Sequence, residues 1–125
     1  MTTHAYFTSG GSKVNRLKKF EAAWKLLSEQ FSQDYEALAF YALSHIATAN
    51  KSDQSFEQNQ AAAKIAQKIL NANPQHPGAH HYMLHAYDVP GLAHMATQIA
   101  DSYGKITPKV PHAAHMLSHI YTRLG

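Results

Sequence analysis

A stretch of this chain recurs 34 residues further on. Residues 62–91 and 96–125 align without a gap and agree at ten of 30 positions: Ala62/Ala96, Ile65/Ile99, Ala66/Ala100, Pro74/Pro108, Pro77/Pro111, Ala79/Ala113, His81/His115, His85/His119, Tyr87/Tyr121 and Gly91/Gly125. The agreements fall on two helix-like segments and on the prolines between them. A two-helix unit of this size cannot bury its apolar face alone, so successive units must stack. A weaker third copy begins near Ala37, 40 residues before Pro77, and its six extra residues fit the Asn50–Ser55 loop. In that register Ala39, Ala79 and Ala113 coincide, and Leu43-Ser44-His45-Ile46 matches Leu117-Ser118-His119-Ile120.

Local patterning agrees with helices throughout. Val occurs three times, and no clean apolar alternation is long enough for a strand. Leu17, Phe20, Trp24, Leu27 and Phe31 recur at helical spacing and predict a helix over 14–31, with the three aromatics in the core. Met83, Met95 and Met116 read as core filler. Further helices are predicted over 35–49, 55–72, 77–88, 92–103 and from about 111 to 124. Ser52 or Asp53 is a candidate cap for the helix over 55–72. Pro74, Pro77, Pro108 and Pro111 punctuate the series, and Pro77 suits a first turn. The expectation is an all-α chain of six helices in antiparallel pairs. Residues 1–13 are expected to be a flexible lead-in, and 14–125 the helical array with units starting near 37, 77 and 111.

Composition excludes several classes. At 125 residues with 45% apolar content, the chain suits one domain with a real core. A net charge of +3 with 15% charged residues lacks the dense basic face of a nucleic-acid binder. The small cluster Lys13, Arg16, Lys18 and Lys19 reads as a solvated helix end. There is no cysteine, so thiol catalysis and cysteine-ligated zinc are excluded. No apolar run approaches membrane-spanning length, and MTTHAYFTSGGSK has no signal-peptide core. A soluble, cytoplasmic protein is expected.

The 34-residue period, the paired helices and the boundary prolines resemble the tetratricopeptide repeat. The run Ala39-Phe40-Tyr41-Ala42-Leu43-Ser44 is similar to the start of that repeat's first helix. Tyr87 and Tyr121 match its tyrosine, Gly91 and Gly125 its inter-helix glycine, Ala62 and Ala96 its second-helix alanine, and Pro74 and Pro108 its closing proline. The resemblance implies an α-solenoid whose first helices line a concave groove. A narrower resemblance is carried by His76-Pro77-Gly78-Ala79-His80-His81-Tyr82-Met83-Leu84-His85-Ala86-Tyr87-Asp88 and by residues 111–125, PHAAHMLSHIYTRLG. These look like the paired signatures of a group of longer bacterial tetratricopeptide-repeat proteins, except that Leu117 stands where that group commonly has proline. The resemblance implies continuation in a longer parent chain and brings no reaction with it.

Histidine is the compositional anomaly: ten residues, eight of them among the last 50. On a helix His81, His85 and Asp88 share one stripe, and His112, His115 and His119 another. Repeat register aligns His45, His85 and His119, with Tyr41, His81 and His115 one turn earlier. By the resemblance these residues line the groove. Three uses are open. Imidazoles can form a structural hydrogen-bond ladder. They can recognise a protein or peptide partner, or an anion, with Tyr82, Tyr87 and Tyr121 nearby. Or His81, His85, Asp88, His115 and His119 can hold a divalent metal such as zinc.

No cofactor is required by any motif. The spacing is not HExxH, and no G-x-S-x-G, P-loop or G-x-G-x-x-G occurs. Ser44 and Ser118, next to histidines, point to other helix faces. Asp88 with His81 or His85 makes an acid–base pair of a kind that structural networks also contain, so a metal-dependent hydrolase stays an alternative to an interaction scaffold. His76 is expected to cap or close the Asn73–Gly78 turn, and His94 to lie on the surface. The apolar face of the last helix (Ala113, Met116, Leu117, Ile120, Tyr121 and Leu124) is expected to be open, which would favour self-association.

Overall fold

A computed structural model describes residues 2–8 and 10–125. Among the described residues seven α-helices follow one another: α1 (Thr2–Thr8), α2 (Lys13–Gln30), α3 (Tyr35–Ala47), α4 (Glu57–Ala72), α5 (Pro77–Tyr87), α6 (Thr97–Ile106) and α7 (Pro111–Leu124). A single 3₁₀ turn, Ala93–Ala96, precedes α6. No strand occurs among the described residues. The chain is all-α, and its helices pack mainly on their sequence neighbours; α5 also touches α3 on one side and α7 on the other. α5 is therefore central, in contact with helices on either side of it in sequence.

The prolines act as their chemistry requires. Pro77 and Pro111 occupy the first turns of α5 and α7, where a missing N–H leaves no helical bond unmade. His76 caps α5: its Nδ1 accepts the Ala79 N–H at 3.1 Å, and its Nε2 lies 3.2 Å from Glu36 Oε1. Asp34 caps α3 by accepting from the N–H groups of Glu36 and Ala37. The cap expected for α4 is different. Asp53 instead accepts the Ser55 N–H at 2.9 Å in a local turn, and Phe56 opens the helix in the left-handed region at φ 55° with no side-chain cap.

Six helices were expected and seven are found. The difference is α1, inside the stretch read as a lead-in. Tyr6 meets Phe20 edge-on at 6.0 Å, and the Arg16 guanidinium sits over the Tyr6 ring at 5.6 Å, which seats α1 on α2. Met1 and Ser9 of that stretch lie outside the described residues. The helix expected over 92–103 begins as the 3₁₀ turn and runs on to Ile106.

The core is built from small residues. Ala39, Ala42, Ala62, Ala66, Ala79 and Ala86 are almost fully buried, packed with Ile69 and Met83 between α3, α4 and α5. Backbones can approach closely there, and each repeated alanine marks such a contact. A second cluster joins Leu84, Ala96, Ala100 and Tyr103 to Ala113, Met116 and Ile120 of α7. The apolar face of α7 is thus covered by α5, α6 and the 3₁₀ turn, not open: Ala113, Met116 and Ile120 are at most 1% exposed, while Tyr121 and Leu124 stay outside. Phe31 and Met95, expected inside, are exposed; Phe31 is the C-cap residue of α2, and Met95 lies in the 3₁₀ turn, where Ala93 and Ala96 are the buried residues. No described helix is long and apolar enough to cross a membrane.

Candidate metal centre

α5 buries Ala79, His80, Met83, Leu84 and Ala86, which leaves His81 and His85 on a half-buried flank beside α7. The two rings are one turn apart and touch, Nε2 to Nε2, at 3.1 Å. α7 begins at Pro111, so His112 stands in its first turn, with its ring centroid 5.0 Å from that of His81. One nitrogen from each of His81, His85 and His112 lies within 4.8 Å of the other two. His81 is oriented from its other side, where Nδ1 lies 3.1 Å from the Tyr103 hydroxyl of α6. Three consecutive α-helices therefore build the cluster.

Its electrostatics favour the neutral form of His81 and His85. Burial, then the neighbouring His85 and His112, push His81 down to about 4. Burial also lowers His85; Asp88 opposes this in part, while His112 and His119 add to it. Neutral imidazole is the form that ligates a metal. Tetrahedral zinc at roughly 2.0–2.1 Å from each nitrogen sets ligand atoms about 3.3 Å apart. The His81–His85 pair is already near that spacing, and His112 is exposed and free to swing inward.

The remaining site candidates are placed as follows. His115 and His119 form their own pair, with Nε2 atoms 2.9 Å apart. Asp88 belongs with them: Oδ2 accepts from His119 Nδ1 at 3.0 Å, and Oδ1 is paired with the Arg123 guanidinium. Burial pushes Asp88 up, but the hydrogen bonds and charges of Arg123 and His119 outweigh it and hold the carboxyl below its usual range. The five-residue metal set is therefore divided, His81 and His85 joining His112 while Asp88 serves the other pair. His45 is bonded to Glu21 of α2, whose second oxygen accepts from Thr48 at 2.8 Å, and Tyr41 lies beside it on α3. Tyr121 donates to Asp101 at 2.7 Å, and Tyr87 packs into the core, so neither joins the histidines. The Ser118 hydroxyl donates to the His115 carbonyl at 2.6 Å, and Ser44 to that of Tyr41 at 2.9 Å.

Three contributors had no sequence signal. Tyr103 lies 22 residues from His81 in no motif, Glu21 is 24 residues from His45, and Arg123 is 35 residues from Asp88. His80, next to the stripe, is buried and stacked on Tyr103, with its Nδ1 3.0 Å from the His76 carbonyl. Comparison with protein-family models, curated proteins and solved structures finds no match.

Proposed function

We propose that this chain is a metal-binding helical protein that holds a divalent transition ion, zinc above all, between α5 and α7. The observation that carries the reading is the convergence of His81, His85 and His112 donor atoms within 4.8 Å. Three imidazole nitrogens suit a borderline ion such as Zn²⁺ and suit the oxygen-seeking Mg²⁺ or Ca²⁺ poorly. Three protein ligands leave a fourth position for water or a partner's oxygen. A hydrolytic use of that water would need a base, and Asp88, the carboxylate of this region, is engaged by Arg123 and His119.

The test is titration of the chelator-treated chain with Zn²⁺ by calorimetry and with Co²⁺ by visible absorption at pH 7.5. We expect micromolar or tighter binding at this site. Replacing His81 and His85 together by Ala should remove this site's share of the intense Co²⁺ bands of tetrahedral coordination. Unchanged bands in that variant, or no binding by the parent chain, would refute the centre.

A second reading rests on a different observation. A groove of about 600 Å³ runs beside the cluster, with Ile46, Phe56, Asn59, His85, Asp88 and Arg123 in its walls. Together with the 34-residue period and the contacts of α3 and α7 with α5, it supports a tetratricopeptide-like array that receives a peptide or partner segment.

A further inference from the structure

α7 carries two imidazoles that the three-histidine centre does not use. His115 and His119 are one turn apart, and their Nε2 atoms stand at 2.9 Å. A carboxylate accepts and cannot donate, so the 3.0 Å bond between His119 Nδ1 and Asp88 Oδ2 puts a proton on Nδ1. In the neutral ring the Nε2 lone pair is then free, and His115 fills it by donating its own Nε2–H. Asp88 is locked in turn by the Arg123 guanidinium on its other oxygen. A carboxylate on the far nitrogen is how metal-ligating histidines are commonly oriented and made more basic. A concavity of about 300 Å³ lined by Asp88, Ser118, His119, Thr122 and Arg123 adjoins His119 and has room for water.

A structural hydrogen bond alone leaves this arrangement underused. His115 is exposed and supports no core contact, so a bond to His119 adds little to the fold. The arrangement has another use: two nitrogens stand close enough to share one ion, with the tautomer of one set by a buttressed carboxylate. We propose that His115 and His119 form a second divalent-metal site, positioned by Asp88 and Arg123, which takes a borderline ion such as Zn²⁺ or Cu²⁺ and completes its shell with water. On binding, His115 moves its proton from Nε2 to Nδ1, where on an exposed ring it bonds to solvent. No net proton need be lost. The site shares no ligand with the three-histidine centre and stands or falls apart from it. The rings of His112 and His115 have centroids 6.2 Å apart, so the two ions would be neighbours.

The experiment is Zn²⁺ calorimetry on the full chain at pH 7.5 with three variants. The parent chain should bind two equivalents. His115→Ala/His119→Ala should bind one, and His81→Ala/His85→Ala should retain the other. Asp88→Asn should keep the stoichiometry and weaken one site alone by about 10-fold or more, the usual effect of removing such a carboxylate. Far-UV circular dichroism checks that each variant folds. If His115→Ala/His119→Ala binds as much as the parent, or if His81→Ala/His85→Ala binds nothing, the second site is refuted. In the latter case the first centre stands. If His81→Ala/His85→Ala leaves the stoichiometry unchanged and His115→Ala/His119→Ala lowers it, the first centre fails and the second stands. A parent chain that binds no zinc refutes both.

Discussion

Acidification tests how tightly the α5–α7 cluster is packed. The groups facing His81 are His85 and Tyr82 on its own helix, Tyr103 on α6 and His112 on α7. In the folded chain His81 is pushed down to about 4, against 6.5 in an unperturbed ring. Above pH 6.5 both folded and unfolded forms are neutral, and the group contributes no pH dependence. Below 6.5 the unfolded chain takes up a proton that the folded chain refuses, so stability falls with pH until about 4. A full proton of difference is worth about 1.4 kcal/mol per pH unit, which would total about 3 kcal/mol across that window. Water reaches one side of the ring, and we discount the figure to about 1–2 kcal/mol between pH 6.5 and 4.5. For a chain of this size that is a fall in Tm of about 4–8 °C. His85, also lowered by burial, acts in the same direction. The assay is thermal and urea unfolding of the metal-free chain with a chelator present, from pH 7.5 to 4.5, beside His81→Phe. The variant is less stable throughout, because it loses the Tyr103 bond, but its pH slope should be shallower. Equal slopes in the two proteins would refute the reasoning. So would a His81 ring resonance that titrates at or above 6.5.

Two substitutions test the frame around the site. His76→Ala removes the α5 cap from the Ala79 N–H and the contact with Glu36, and should cost about 1–2 kcal/mol in urea unfolding, with His76→Asn recovering part of it. Gly91→Ala places a Cβ 2.6 Å from Phe56 Cε2, so the ring must shift, and should cost about 1–2 kcal/mol. In a Phe56→Ala background the same change should cost clearly less, and equal costs in the two backgrounds would show that the contact does not hold the loop.

How far the sequence revealed this molecule depends on the range of the interaction. Pro77 and Pro111 act within one turn, and the helices they start were legible from position alone. The alanines repeated at 34 residues were legible as a repeat; that they mark core contacts between neighbouring helices emerges only from the packing. α1 was missed because its seven residues carry no helical stripe; it is seated by Tyr6 against Phe20 on another helix. α7 was read as uncovered because its partner was sought in a following helix, whereas α5 and α6, already present, cover it. His76 was expected at its turn because a cap is a local device.

The histidines show where register stops being geometry. Equivalent positions in successive units need not meet at the same height. His81 and His115 are register mates, yet the ring that approaches His81 is His112, one turn earlier on α7. The i, i+4 pairs survived as pairs, His81 with His85 and His115 with His119, because a helix enforces them from within. What joins the pairs to their surroundings is set by packing between helices: His112 completes one cluster, Asp88 and Arg123 buttress the other, and Tyr103 orients the first. The third unit shows the limit of the pattern. Tyr41 occupies the place of the first imidazole there, so α3 offers a single histidine, and Glu21 of α2 engages it. An imidazole pair needs two histidines on one helix and a second helix that approaches their flank. α5 and α7 each hold such a pair and pack against one another, and only in α5 does the neighbouring helix bring a third imidazole into reach. On this argument the strongest metal affinity belongs to His81, His85 and His112, and the pair on α7 depends on water and on Asp88 for what a third imidazole supplies in α5.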